Sequence, residues 1–410
     1  MIRAAILASL FLSAPALAAD PPKITLKDGD RIVYIGNTFA ERDAIYGYLE
    51  TLLTIRHPEI NFTFRNLGWS GDTVWGDARA RFGTRADGFK HLKEHVLALK
   101  PTIILVAYGM NESFAGEAGL KDFEAGLNTL LDTLAETKAK VVLISPIPHE
   151  DLGPPLPDPA KHNADLQRYV QVMAEATKTR GIAYVDLFAQ MNRAVELGRK
   201  FYKTTLLYTE DGLHPTGDRY SSVDWMLFSS LAQKSPGADW IRLEFGADGS
   251  VKGPGAKDAR KIPRGFRVDV ESATLCPPVT TSTDWKGGGI MLTFLGLPIG
   301  KYTILVDGID SHHFEVTNTK STMSHLYGGP EIDQVEKLRA LINRKNELYF
   351  HRWRPQNETY LFGFRKHEQG NNAVEIPQFD PLIADLEAQI NVLKKPVKHT
   401  YEILHEEAGK

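Results

Sequence analysis

Residues 101–112 read Pro101-Thr102-Ile103-Ile104-Leu105-Val106-Ala107-Tyr108-Gly109-Met110-Asn111-Glu112. The proline stops the amphipathic pattern that runs from about Gly88 to Leu99. Thr102 to Ala107 is then a short, β-branched apolar run with no polar alternation. That is how a strand buried on both faces reads, and such strands belong to parallel sheets covered by helices.

The surrounding chain repeats the pattern. Strand-like runs at 31–35, 62–67, 140–145 and 182–185 alternate with helical patterns at 46–56, 88–99, 120–137, 162–179 and 221–232. Alternation on this scale predicts a parallel sheet with helices on both faces, within a domain spanning 25–235. After Pro236 the pattern changes to period two, with turn signals such as Asp248-Gly249. Runs at 240–245, 265–270, 290–294, 301–306 and 312–316 predict a small antiparallel β unit, a sandwich, over 237–320. Residues 325–410 read as a C-terminal segment, with helical patterns at 331–349 and 381–394. Between these lies an irregular stretch, 350–379, rich in aromatics and arginine.

The 410 residues carry 48 Lys+Arg against 51 Asp+Glu, and are 42 % hydrophobic and 24 % charged. This balance excludes disordered, collagen-like and disulfide-scaffold classes. A net charge of −3 gives no electrostatic footprint for nucleic acid or an anionic membrane. The length suits two domains, or one with a large annex. Met1-Ile2-Arg3, the apolar run Ala4 to Leu12 and the small-x-small pattern ending at Ala18 read as a cleaved signal peptide, residues 1–18. The expected location is therefore periplasmic or secreted, with no integral membrane segment. Cys276 is the single cysteine, so it forms no internal disulfide and reads as a small buried hydrophobe. The sequence does not fix an oligomeric state.

In an open parallel sheet, ligands bind beyond the carboxyl ends of the strands. Successive strands here are followed by Gly36-Asn37-Thr38, Gly68-Trp69-Ser70-Gly71-Asp72-Thr73, Gly109-Met110-Asn111-Glu112 and, ahead of the final helix, Asp211-Gly212-Leu213-His214-Pro215. One rim thus gathers a hydroxyl, glycine amides, an asparagine amide and an Asp/His pair. Acyl transfer needs those types: a nucleophile, an imidazole oriented by a carboxylate, and donors for an oxyanion. Taken singly, each block also reads as an ordinary turn or helix cap.

In this order the four blocks resemble the SGNH hydrolase superfamily, the GDSL-type esterases and lipases. The matching positions are Gly36-Asn37-Thr38, Gly71 in Ser70-Gly71-Asp72-Thr73, Asn111 in Gly109-Met110-Asn111, and Asp211 to His214. The resemblance implies a three-layer α/β/α, flavodoxin-like fold. It also implies hydrolysis of small acyl esters, often acetyl groups on carbohydrate, with no metal and no cofactor. Thr38 would be the nucleophile, His214 the base and then the acid, and Asp211 its orienter. The Thr38 and Gly71 amides and the Asn111 side chain would form the oxyanion hole. The first block departs from the family, which has Asp-Ser where this chain has Asn37-Thr38. Threonine keeps the hydroxyl, but its β-branch restricts χ1 and adds a methyl beside the attacking oxygen. Either Thr38 attacks, or the site binds acylated ligands without turnover, or hydrolyses them weakly with water. Ser70 and Ser113 stand beside oxyanion donors rather than at the nucleophile turn.

Other residues have two readings each. His149-Glu150 follows the fourth strand and either contacts substrate or caps an exposed Pro-rich loop. Trp69 and Trp75 either stack on a sugar face or pack internally. His312 and His313 point to opposite faces of a strand, so they do not share a metal. Arg352 and Trp353, with Arg354, Tyr360, Phe362, Phe364 and Arg365, either recognise carboxylates or sugars or clamp an irregular segment onto the domain. As a whole the chain reads as an exported ester hydrolase acting on acylated carbohydrate or another small ester. A glycan-binding module and an extracellular assembly surface are the alternatives.

Overall fold

Five short strands, β1 (Arg31–Gly36), β2 (Thr63–Asn66), β3 (Ile103–Ala107), β4 (Lys140–Ile144) and β5 (Ala183–Val185), form a parallel sheet in the order β2-β1-β3-β4-β5. The computed structural model describes residues 24–202, 207–231, 242–280, 288–361, 363–368 and 372–406. The expected leader, the strand start at 240–241 and Phe362 lie outside them.

Helices connect the strands: α1 (Thr38–Tyr46), α2 (Tyr48–Arg56), α3 (Arg85–Ala98), α4 (Met110–Ser113), α5 (Leu120–Ala135), α6 (Ala160–Arg180), α7 (Leu187–Leu197) and α8 (Asp218–Leu231). Alternation along the strands separates the core into two layers. Ile32, Tyr34, Leu105 and Ile144 pack with Phe39, Leu49, Leu52, Leu187, Val223 and Leu227 of α1, α2, α7 and α8. Val33, Ile35, Ile104, Val106 and Leu143 pack with Leu92, Val96, Leu127, Leu130, Tyr169 and Met173 of α3, α5 and α6. The fold is α/β with helices on both faces of the sheet. The helix expected over 46–56 is α2, and a separate helix not anticipated, α1, begins directly at Thr38 and is capped at Gly47. Helix α7 was not anticipated, although Asp186 caps it by accepting the Ala189 N–H at 2.8 Å.

The β unit contains β6 (Arg242–Gly246), β7 (Val251–Lys252), β8 (Ala256–Ile262), β9 (Gly265–Val270), β10 (Ile290–Leu295), β11 (Gly300–Val306), β12 (Ile309–Val316), β13 (Thr322–Leu326) and β14 (His399–His405). They make two sheets, β13-β10-β6-β7 and β12-β11-β14-β9-β8, antiparallel except for the β6–β10 pair. The division drawn at 320–325 is not a packing boundary. Strand β14 returns from the C-terminus to lie between β11 and β9, a pairing distant in sequence that no local pattern announces.

The rest of the C-terminal segment belongs with the parallel sheet. Helices α9 (Pro330–Trp353), α10 (Glu358–Leu361) and α11 (Phe379–Leu393) follow the β unit. Helices α9 and α11 lie at strand β2, where Leu348, Tyr349 and Ile383 join the core. Lys345 of α9 donates to Glu50 Oε1 at 2.6 Å and to the Phe64 carbonyl at 3.1 Å, while Arg65 pairs with Glu387 of α11 at 2.6 Å. The otherwise open sheet edge at β2 is covered in this way. Cys276 is buried. No helix among the described residues is long and apolar enough to cross a membrane.

Candidate active site

Strand β1 ends at Gly36, and Asn37 caps α1: its Oδ1 accepts the Phe39 N–H at 3.1 Å. A neutral amide therefore organises the turn where the family has a carboxylate. Thr38 takes the first helical position, where the backbone N–H has no intrahelical acceptor.

The loop after β2 lies against α1. A Cβ at Gly68 would come 2.2 Å from the Glu41 backbone nitrogen, so a glycine is needed for this approach. Gly71 has φ +78°, left-handed backbone that favours glycine, and its N–H donates to Thr38 Oγ1 at 3.4 Å. The Thr38 hydroxyl thus faces the loop predicted to supply an oxyanion donor. Beneath the loop, buried Asp72 pairs with Arg79 at 2.7 Å and accepts the Tyr108 hydroxyl at 2.9 Å. The Asp72 carbonyl accepts Asn111 Nδ2 at 2.8 Å. Glu112 binds the two loops together, accepting Val74 N–H at 2.8 Å and Gly109 N–H at 2.9 Å. Thr38, Gly71 and Asn111 are in this way tied into one corner.

The Asp/His block forms a closed turn. Asp211 Oδ2 lies 2.8 Å from His214 Nδ1, and Oδ1 accepts the Leu213 and His214 N–H groups at 2.9 and 2.7 Å. Partial burial pushes the Asp211 carboxyl up, but hydrogen bonds from the His214 ring and the turn backbone outweigh it and hold the pKa at about 2. An ionised carboxylate only accepts, so Nδ1 carries the proton and Nε2 is left as the basic ring nitrogen. Helix α8, which follows this turn, is tied to the helix that starts at Thr38: the Tyr220 hydroxyl donates to the Phe39 carbonyl of α1 at 3.0 Å. Among the described residues, no hydrogen bond joins Thr38 Oγ1 to His214. Such contacts commonly tighten only when substrate arrives.

Residues 29–220 match the family model described as the GDSL-like Lipase/Acylhydrolase family. This domain belongs to the SGNH hydrolase superfamily. A gut microbial diltiazem-metabolizing enzyme of known structure covers 95 % of this chain and 100 % of its own at 17 % identity, with a TM-score of 0.72. The β unit and C-terminal segment are therefore part of a shared architecture. An acetylxylan esterase from Geobacillus stearothermophilus covers 50 % of this chain and 94 % of its own at 18 % identity, TM-score 0.38. A lipase/acylhydrolase from Enterococcus faecalis covers 49 % and 95 % at 20 % identity, TM-score 0.37. The comparison with curated proteins returns no match.

Several residues expected at the substrate side of the SGNH domain have other partners. Both Glu150 oxygens are taken by the loop leading to His214: they accept Tyr208 N–H at 2.8 and 2.9 Å, Thr209 N–H at 2.7 Å and the Thr209 hydroxyl at 2.5 Å. Its own N–H donates to the Gly212 carbonyl at 2.9 Å. Glu150 is thus a brace for the Asp/His turn. His149 is buried and stacked on His162 at 4.2 Å; burial and the neighbouring His162 and His214 lower its pKa to about 4, keeping it neutral. Arg352 is bound to Asp380 at 2.8 Å, and Trp353 packs edge-on against Trp69 and His95. Arg352 links α9 to α11 within the C-terminal segment, and Trp353 holds that segment against Trp69 and His95 of the domain. Trp75 packs on Phe89. Ser113 is buried, its hydroxyl donating to the Met110 carbonyl at 2.6 Å.

Sequence reasoning missed Glu41 and the Asp72–Arg79–Tyr108 network. Glu41 Oε2 accepts the Ser70 N–H and also pairs with Arg354 at 3.0 Å, and the Arg354 guanidinium lies 3.7 Å from the Trp69 ring centroid. The loop carrying Gly71 is therefore held from the C-terminal segment. Glu41, three residues after Thr38, and Asp72, within the second block, were the available signals.

Proposed function

We propose that the protein is an exported SGNH-type ester hydrolase that removes small acyl groups, with acetylated carbohydrate as its substrate class. The Thr38 hydroxyl attacks the acyl carbon while His214 Nε2 takes its proton. Charge on the former carbonyl oxygen is met by the Thr38 and Gly71 N–H groups and Asn111 Nδ2. The intermediate collapses as His214 returns the proton to the departing alcohol, leaving an acyl-Thr38 ester. Water, deprotonated by His214, then cleaves that ester and frees the acid and the threonine. Asp211 stays ionised throughout, orienting the imidazole and balancing its positive charge.

The observation that supports this reading is the Gly71 N–H aimed at Thr38 Oγ1, in a chain whose Asp211 and His214 form an ion-pair hydrogen bond just ahead of a helix tied to the same helix start through Tyr220. A second reading, acyl-ligand binding without turnover, is favoured by the missing Thr38–His214 hydrogen bond and the threonine methyl. The test is hydrolysis of 4-nitrophenyl acetate and acetylated xylo-oligosaccharides by wild type, Thr38→Ser, Thr38→Val and His214→Ala. Hydrolysis requires activity in wild type and Thr38→Ser, with loss in the other two. Binding without turnover requires wild type to equal His214→Ala while Thr38→Ser gains activity.

A further inference from the structure

We propose that the cleft bounded by Trp69, Phe82, Phe350, Arg354, Glu358 and Phe364 holds the alcohol half of the ester and selects an uncharged alcohol bearing a ring. The inference rests on the ester-hydrolase reading and extends it to substrate choice. The cleft has a volume of about 460 Å³, within the range of small-molecule sites. Two distant parts of the chain build it, the stretch after β2 and the end of α9 with the chain that follows it.

Chain connectivity and one ion pair tie the cleft to the catalytic loop and the nucleophile helix. Trp69 precedes Gly71 by two residues, so the cleft wall lies within roughly 7 Å of chain from the amide that touches Thr38 Oγ1. Arg354 also lines the cleft and pairs with Glu41 of the nucleophile helix.

The lining chemistry names the ligand. Phe82 is 90 % exposed and Phe364 82 %, two rings bordering one cavity with no core to serve. Each cation has its own carboxylate: Arg81 pairs with Glu358 at 2.5 Å and Arg354 with Glu41 at 3.0 Å. An anionic ligand would have to break one of those pairs, so the cleft suits a neutral molecule. Ring faces with polar groups at the edge match a pyranose or a benzyl-type alcohol.

Phe82→Ala and Phe364→Ala test this, since both rings are exposed and their truncation leaves the core intact. Substrates are 2-phenylethyl acetate and methyl 3-O-acetyl-xyloside against ethyl acetate. We expect kcat/KM on the ring-bearing esters to fall on the order of tenfold, mainly through KM, with ethyl acetate unchanged. Equal losses on every ester, or none, would overturn the assignment. Binding of 2-phenylethanol, followed by Trp fluorescence, separates the two readings. Binding that Phe364→Ala abolishes, in a protein that hydrolyses no ester, keeps the cleft and removes the hydrolase. Hydrolysis with no effect of either variant removes the cleft alone. A change from dimer to monomer in both variants on sedimentation, without kinetic effect, would assign the rings to a second copy of the chain.

Discussion

Replacing Glu150 with alanine should disable the site without touching any group that meets substrate. Three donors converge on its carboxylate: Tyr208 N–H, Thr209 N–H and the Thr209 hydroxyl. Hydrogen bonds to a charged acceptor are worth about 1.5–3 kcal/mol each, but this turn is partly solvated and water recovers a share. A local loss of about 3–5 kcal/mol is therefore expected, rather than the full sum. The turn that carries Asp211 and His214 would then sample other geometries, and at about 1.4 kcal/mol per tenfold, kcat/KM should drop by about 10² to 4 × 10³-fold. Glu150→Gln keeps one carbonyl acceptor and should lose roughly tenfold. The assay pairs aryl-acetate kinetics with hydrogen exchange across residues 207–217, which should accelerate while the sheet stays protected. Activity within threefold of wild type, with the turn still protected, would refute the argument that Glu150 braces the base.

Lys345→Met should destabilise the fold by about 3–5 kcal/mol, because it leaves buried Glu50 without its cation, and urea melts of Lys345→Met/Glu50→Leu should recover most of that. Glu41→Gln should lower kcat more than it raises KM, since the Gly71 loop loses the charge that links Ser70 N–H to Arg354; a pure KM effect would count against it. Asp43 of α1 and Asp224 of α8 are both raised above the ordinary carboxylate range, first by burial; their interaction raises Asp224 further. The folded chain then keeps a proton that the unfolded chain releases above about pH 4, so stability falls as pH rises from there, by up to about 1.4 kcal/mol per unit per proton. Asp224→Asn should flatten that slope in urea melts between pH 4.5 and 6.5, and parallel profiles would contradict it.

The parallel sheet was legible because its strands are short apolar runs punctuated by Pro101 and by rim glycines, signals that local sterics alone produce. The rim residues followed, since strand ends fix where side chains can meet. Long-range pairing was not legible. Nothing near His399–His405 says that it joins β9 and β11, and nothing near Lys345 says that its ammonium reaches Glu50. The same limit explains Glu150, Arg352 and Trp353. Their types suit substrate recognition, but their hydrogen bonds and ring contacts go to Thr209, Asp380 and Trp69, partners far away in sequence. Asn37 shows the converse: a residue that departs from the family pattern still caps α1, because an amide oxygen accepts the Phe39 N–H as a carboxylate would.

Everything proposed for the chemistry depends on Thr38 being the atom donor to the acyl group. Labelling with a fluorophosphonate, followed by peptide mass mapping, reads that directly. One adduct on the peptide containing Thr38, absent from Thr38→Val and from His214→Ala, is the predicted result. An adduct on Ser70 instead, or undiminished esterase activity in Thr38→Val, would contradict it.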